Sequence, residues 1–211
     1  MIAIIDYGMG NLRSVAKALE HLGHSAEITR DPDAIAGAQR LILPGVGAFG
    51  AAMDNLRKFE LVEVLRDAGG SGKPFLGICL GMQLLLEQSE EKGVHEGLSL
   101  IPGKVTRFAQ DYPANHDTPP LKIPHMGWNS LDIKAQTPLL DGVPDGSMVY
   151  FVHSYYVSPP DDAVAATTNH GIDFCSVICR SNICATQFHP EKSGEVGLRM
   201  LRNFAEADTW N

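Results

Sequence analysis

The chain has 211 residues, 44% of them hydrophobic and 20% charged, which is the balance of a folded globular protein and excludes a disordered or fibrous polypeptide. That length suits one domain spanning 1–211 around a well-buried core. A net charge of −8 leaves no basic stripe to neutralise phosphates, so no nucleic-acid partner is expected.

The N-terminus, Met1-Ile2-Ala3-Ile4-Ile5-Asp6, has no basic n-region and no long apolar h-region. No later stretch is apolar over a spanning length, so the expectation is a cytoplasmic protein without a membrane partner. Four cysteines, Cys79, Cys175, Cys179 and Cys184, then read as free thiols in a reducing compartment, with no disulfides.

Taken in chain order, Ile2 to Asp6 reads as a strand, Asn11 to Leu22 as a helix and Arg40 to Leu43 as a second strand after a polar stretch. Such alternation is the pattern of parallel βα units. A Gly-rich turn, Pro44-Gly45-Val46-Gly47, leads into helical pattern from Ala51 to Ala68, and the strand Pro74 to Ile78 runs directly into Cys79. Leu80 to Gln88 reads as a helix packed on the sheet.

Beyond Gly97 the texture becomes antiparallel, with short alternating runs at Lys104 to Phe108, Met148 to Val157, Ala163 to Thr167 and Ile172 to Ile178. Ala109 to Pro124 reads as a long polar loop. The chain closes with an apolar run, Ile183 to Phe188, then His189-Pro190-Glu191 and a helix from Glu195 to Ala207. The fold class implied is α/β: an open mixed sheet with helices on both faces and an antiparallel extension.

Gly77-Ile78-Cys79-Leu80-Gly81 sets a cysteine between two glycines at a strand-to-helix turn, the form of a nucleophile elbow with sulfur in place of the usual hydroxyl. The turn crowds the backbone, and glycine tolerates close approach that a side chain would forbid. The Leu80 amide, following the nucleophile, can supply half of an oxyanion hole. The turn at Gly45 and Val46, expected at the same carboxyl edge of the sheet, is a candidate for the other half, although by itself it reads as an ordinary turn before a helix.

A cysteine nucleophile needs a base, and His189 lies between an apolar strand and a helix. Pro190 biases His189 to an extended conformation, so that His189 and Glu191 share a side and the carboxylate can orient the imidazole. Cys79, His189 and Glu191 thus form a chain of nucleophile, base and orienter. Cys175, Cys179 and Cys184 read as core-filling thiols. A zinc site from these three with His170 lacks the paired C-x2-C knuckle, and no metal or other cofactor is expected.

Gly77 to Gln83 together with Phe188-His189-Pro190-Glu191 resembles the class I glutamine amidotransferases. The opening Ile5 to Val15, the turn Pro44 to Gly50, Pro124-His125-Met126-Gly127-Trp128-Asn129, Tyr150 to Tyr156 and His189 to Gly194 are similar to the glutaminase-subunit family of imidazole glycerol phosphate synthase, nearly end to end. That resemblance implies a flavodoxin-like fold and hydrolysis of glutamine to glutamate and ammonia through a Cys79 thioester. Gly45, Val46 and Leu80 would form the oxyanion hole, and Gly47 and Gln83 would contact substrate.

It also implies a heterodimer with a cyclase subunit that uses the ammonia in histidine biosynthesis, with Trp128, Asn129 and Lys192 at or near the interface. An amidotransferase of another pathway would keep the triad but lack Asp6 to Val15 and His125 to Asn129. A cysteine sensor on the same fold would need no proton shuttle beside its thiol.

Overall fold

The computed structural model describes residues 1–109, 122–207 and 210. Its strands in chain order are β1 (Ile2–Ile5), β2 (Ala26–Thr29), β3 (Arg40–Gly45), β4 (Phe75–Cys79), β5 (Gln88–Ser89), β6 (His95–Glu96) and β7 (Lys104–Arg107). They continue with β8 (His125–Ser130), β9 (Asp132–Ile133), β10 (Met148–His153), β11 (Tyr155–Ser158), β12 (Val164–Asn169), β13 (Asp173–Arg180) and β14 (Ile183–Thr186). The helices are α1 (Leu12–His21), α2 (Pro32–Gly37), α3 (Phe49–Lys58), α4 (Leu61–Gly70), α5 (Leu80–Leu84) and α6 (Gly194–Glu206).

The order β2-β1-β3-β4-β14 is parallel throughout and is the doubly wound arrangement of flavodoxin-like sheets. Beyond β14 the sheet continues through antiparallel β13 and β11 to β7, with β5 and β6 at the far edge. β1, β4 and β14 are buried along their whole length, which is why they read as unbroken apolar runs rather than alternating ones.

Helices cover both faces. Val15 and Leu19 of α1 pack with Met200, Leu201 and Phe204 of α6 on one side, and Phe49, Met53, Leu56 and Leu65 of α3 and α4 fill the other. Each helix thereby presents one apolar stripe to the sheet. A separate two-stranded antiparallel ribbon, β8 with β10, stands beside the site.

Several boundaries differ from the sequence reading. Ala51 to Ala68 is two helices, broken where Glu60 takes the left-handed conformation at φ 57°. The helix after Cys79 stops at Leu84 because the amides of Leu98, Ser99, Leu100 and Ile101 take the carbonyls of Leu84, Leu86 and Leu85, which would otherwise lie over the next turn. β2, α2 and β8 have weak local patterns and are not legible as elements. Met148 to Val157 is two strands, parted at Ser154, that join different sheets. Most of the loop read at Ala109 to Pro124, residues 110–121, lies outside the described residues.

The expectation of four free thiols is corrected. Cys179 and Cys184 face each other across the β13–β14 hairpin and form a disulfide, with Cα atoms 4.1 Å apart. Two residues on directly opposed antiparallel positions come within bonding reach, which neither spacing nor compartment alone reveals. Cys79 and Cys175 remain free and buried.

Candidate active site

The site is assembled at the carboxyl ends of three adjacent strands. Gly45 ends β3 opposite Cys79, which ends β4, and β14 runs beside β4 and leads through Gln187 and Phe188 to His189. Cys79 has φ 55° and ψ −110°, a strained conformation for a non-glycine residue that turns its side chain out of the strand at the start of α5. The flanking glycines are required by contact: a Cβ on Gly81 would lie 1.8 Å from the Leu43 carbonyl oxygen, and one on Gly77 3.0 Å from the Gly81 backbone. Gly45 is equally enclosed, since its Cβ would meet the Tyr7 hydroxyl at 2.6 Å and the Gly81 nitrogen at 2.8 Å.

The other half of the site is a clamp on His189. Its amide donates to the Tyr150 carbonyl at 3.0 Å, and its own carbonyl accepts from the Ser193 hydroxyl at 2.7 Å, while Ser193 Oγ accepts from the Tyr150 amide. His189 is extended, with φ −100° and ψ 98°, as the residue before a proline is biased to be. Pro190–Lys192 then makes one turn of 3-10 helix, which brings Glu191 Oε1 within 2.8 Å of His189 Nδ1.

A carboxylate can only accept here, so Nδ1 carries the proton and Nε2 of the neutral ring offers a lone pair. Both side chains are almost completely enclosed, and among the described residues Nε2 has no hydrogen-bond partner. Burial opposes a charge on the ring. The neighbouring Cys79 and the hydrogen-bonded Glu191 carboxylate outweigh it and raise the imidazole to about 9. Tyr7, which donates to the Pro44 carbonyl at 2.9 Å, is pushed up first by burial and then by the neighbouring Cys79.

A cavity of about 390 Å³ joins these parts, lined by Val46, Gly47, Cys79, Leu80, Gln83 and His189 together with Glu91, Pro124, Val152 to Tyr155 and Lys192. It has the size and mixed lining of a small-molecule site. Of the residues picked out in the sequence, Cys79, His189, Leu80, Val46, Gly47, Gln83 and Lys192 therefore share one cavity wall. Gly45 lies immediately behind it, and Glu191 reaches it through His189.

Trp128 and Asn129 lie on β8. Trp128 is 54% exposed and stands edge-on to Tyr150, so it is not a core aromatic. Asn129 on the opposite face of the strand turns inward, donating to the Asn169 carbonyl at 2.9 Å and lying 3.1 Å from His125 Nε2.

Sequence reasoning missed Gln187, His153, Tyr155 and Glu91. Gln187 is fully buried two residues before His189 and places Nε2 3.9 Å from Cys79 Sγ. His153 belongs to a buried pair with His125, 2.9 Å apart. Burial first, and then neighbouring histidines, hold His125 down to about 4; the same causes, against a bond to the Tyr155 carbonyl, hold His153 down to about 3. Glu91 accepts from the Phe49 amide at 2.7 Å and so caps α3 from across the site. The one local signal was a polar glutamine in the apolar run Ile183 to Phe188.

The fold and the elbow define a class. A solved glutamine amidotransferase superposes with a TM-score of 0.73 at 17% identity, covering 98% of this chain and 100% of that one. The structure of PurLQS from Thermotoga maritima gives 0.72 at 17% identity, covering 97% and 96%. The family described as glutamine amidotransferase class-I matches residues 3–207.

Imidazole glycerol phosphate synthase subunit HisH of Syntrophotalea carbinolica is 55% identical over 98% of this chain and 100% of its own. The Geobacter sulfurreducens subunit is 53% identical over 97% and 98%, and the Bacillus cereus one 49% identical over 100% and 97%. The chain belongs to the HisH family of class I glutamine amidotransferases.

Proposed function

We propose that this chain hydrolyses L-glutamine to L-glutamate and ammonia in histidine biosynthesis, with Cys79, His189 and Glu191 as its catalytic residues. The observation that carries the reading is one cavity lined by a strained, elbow-mounted cysteine and by a histidine whose buried Nε2 is unpartnered and whose Nδ1 is held by a carboxylate. Cys79 Sγ attacks the side-chain carboxamide carbon while its proton resides on His189. The tetrahedral oxyanion takes the Leu80 amide and an amide of the Gly45–Val46 turn. His189 then protonates the departing ammonia, leaving a thioester, and the same ring takes a proton from the water that releases glutamate.

Gln83 and Gly47 contact the substrate. The ammonia passes to a cyclase subunit that forms imidazole glycerol phosphate and aminoimidazole carboxamide ribotide, completing a lyase whose two sites share a passage. The cyclase covers the carboxyl edge of the sheet, with Trp128 and Lys192 facing it and Asn129 supporting the ribbon from behind. The chain works as one domain in the cytoplasm, away from membranes and nucleic acid; among the described residues no helix is long and apolar enough to cross a membrane.

The test is glutamate release from glutamine, with and without the matching cyclase and its nucleotide ligand, beside Cys79→Ala. Hydrolysis that rises on adding the liganded cyclase and vanishes with Cys79→Ala supports the assignment. No glutamate under any condition refutes it.

A further inference from the structure

One backbone carbonyl fixes the direction of a buried hydrogen-bond chain that ends on the cysteine sulfur. The Tyr155 oxygen can only accept. It lies 3.2 Å from Gln83 Nε2 and 2.8 Å from His153 Nδ1, so both must donate to it. Gln83 Nε2 spends its other proton on Gln187 Oε1, 3.1 Å away. Gln187 is therefore held with its amide nitrogen toward Cys79 Sγ at 3.9 Å, and the reverse orientation would set oxygen against oxygen or nitrogen against nitrogen.

The same logic runs outward from Tyr155. With Nδ1 of His153 donating, the Nε2 of the neutral ring accepts from His125 Nδ1, and His125 Nε2 accepts from Asn129. Each amide and ring is thus assigned by its neighbour, and the chain closes on the Asn169 carbonyl.

We propose that Gln187 is a positioning residue for the nucleophile, a fixed N–H donor that steadies Cys79 as a thiolate and at the same time locks the Gln83 amide at the cavity wall. This rests on Cys79 being the nucleophile. A buried amide is costly unless bonded, and Gln187 is completely buried. Its remaining donor faces sulfur, where negative charge strengthens the contact. Among the described residues the other ionisable groups around Cys79 are His189 with Glu191 behind it, Tyr7 below, and Glu91, His153, Tyr155 and Lys192 around the cavity.

The test is the pH profile of Cys79 alkylation by iodoacetamide, followed on the Cys79 peptide by mass spectrometry, in the full chain and in Gln187→Glu and Gln187→Met. Gln187→Glu keeps the acceptor for Gln83 but loses the donor to sulfur; Gln187→Met loses both at similar volume. Both variants should displace the profile to higher pH and slow alkylation at pH 7 by about tenfold, the glutamate more than the methionine.

With the liganded cyclase present, Gln187→Glu should lower kcat with little change in KM, and Gln187→Met should also raise KM because Gln83 is released. In the unaltered chain the Gln187 side-chain amide resonance should titrate together with Cys79, a readout that needs no variant. Profiles of folded variants that overlay the parent, or an amide resonance indifferent to the titration, would overturn the proposal. Alkylation is read without turnover, so a chain that hydrolyses no glutamine overturns the function assigned above and leaves this comparison intact.

Discussion

Acid should unfold this protein through His125 and His153. Both are buried, 5% and 6% exposed, and are held at about 4 and about 3. An unfolded histidine titrates at about 6.5, so below that pH the unfolded chain binds protons that the folded chain refuses, and stability falls as pH falls. At pH 5 the solution is about 1.5 units below the unfolded value and still above both folded values, so at about 1.4 kcal/mol per unit each histidine costs about 2 kcal/mol and the pair about 4. That is a large fraction of an ordinary domain's stability.

His189 acts in the opposite sense: its folded value is raised, so its stabilisation is fully present only below the unfolded value of about 6.5 and is lost as pH rises from there through about 9. Lowering the pH from 7 to 5 therefore returns about 1 kcal/mol. Urea unfolding followed by circular dichroism at pH 7, 6 and 5 measures the slope, with His125→Leu/His153→Leu as the control that removes both groups. The parent should lose about 3 kcal/mol between pH 7 and 5, and the double variant should lose none of it over the same range. A parent whose stability is level over this interval, or a double variant with an unaltered slope, would refute the linkage.

Other outcomes follow from single contacts. Gly81→Ala sets a Cβ 1.8 Å from the Leu43 carbonyl and should cost about 4 kcal/mol or more, read as loss of the folded protein or a large drop in Tm. Glu191→Gln keeps an acceptor for His189 Nδ1 but removes its charge. In the proposed mechanism protonated His189 serves the leaving ammonia, so the alkaline limb near pH 9 should move to lower pH, visible in kcat against pH. Denatured but unreduced protein should take up alkylating reagent at two cysteines and at four after reduction, counted by intact mass; four in both states would rule out the Cys179–Cys184 bond.

Local order determined what could be read from the sequence. Gly77-Ile78-Cys79-Leu80-Gly81 is a continuous segment whose glycines answer to crowding inside the same turn, although one of the contacts, Gly81 against Leu43, comes from the neighbouring strand. His189-Pro190-Glu191 is likewise self-contained, because a proline and a two-residue spacing suffice to aim the carboxylate at the ring. The buried strands were plain from their unbroken apolar runs.

What the sequence left open depends on residues far apart in the chain. The short α5 is ended by a loop more than ten residues downstream, and the β8 ribbon becomes a strand only by pairing with β10. Cys179 and Cys184 are joined because a hairpin puts them opposite each other. Gln187 reads locally as a polar interruption of an apolar run, and only the packing of β4, β11 and β14 brings its amide between Gln83 and the Cys79 sulfur. Direction in a hydrogen-bond chain is set by the one member that cannot turn, here a Tyr155 carbonyl whose position exists only in the folded sheet.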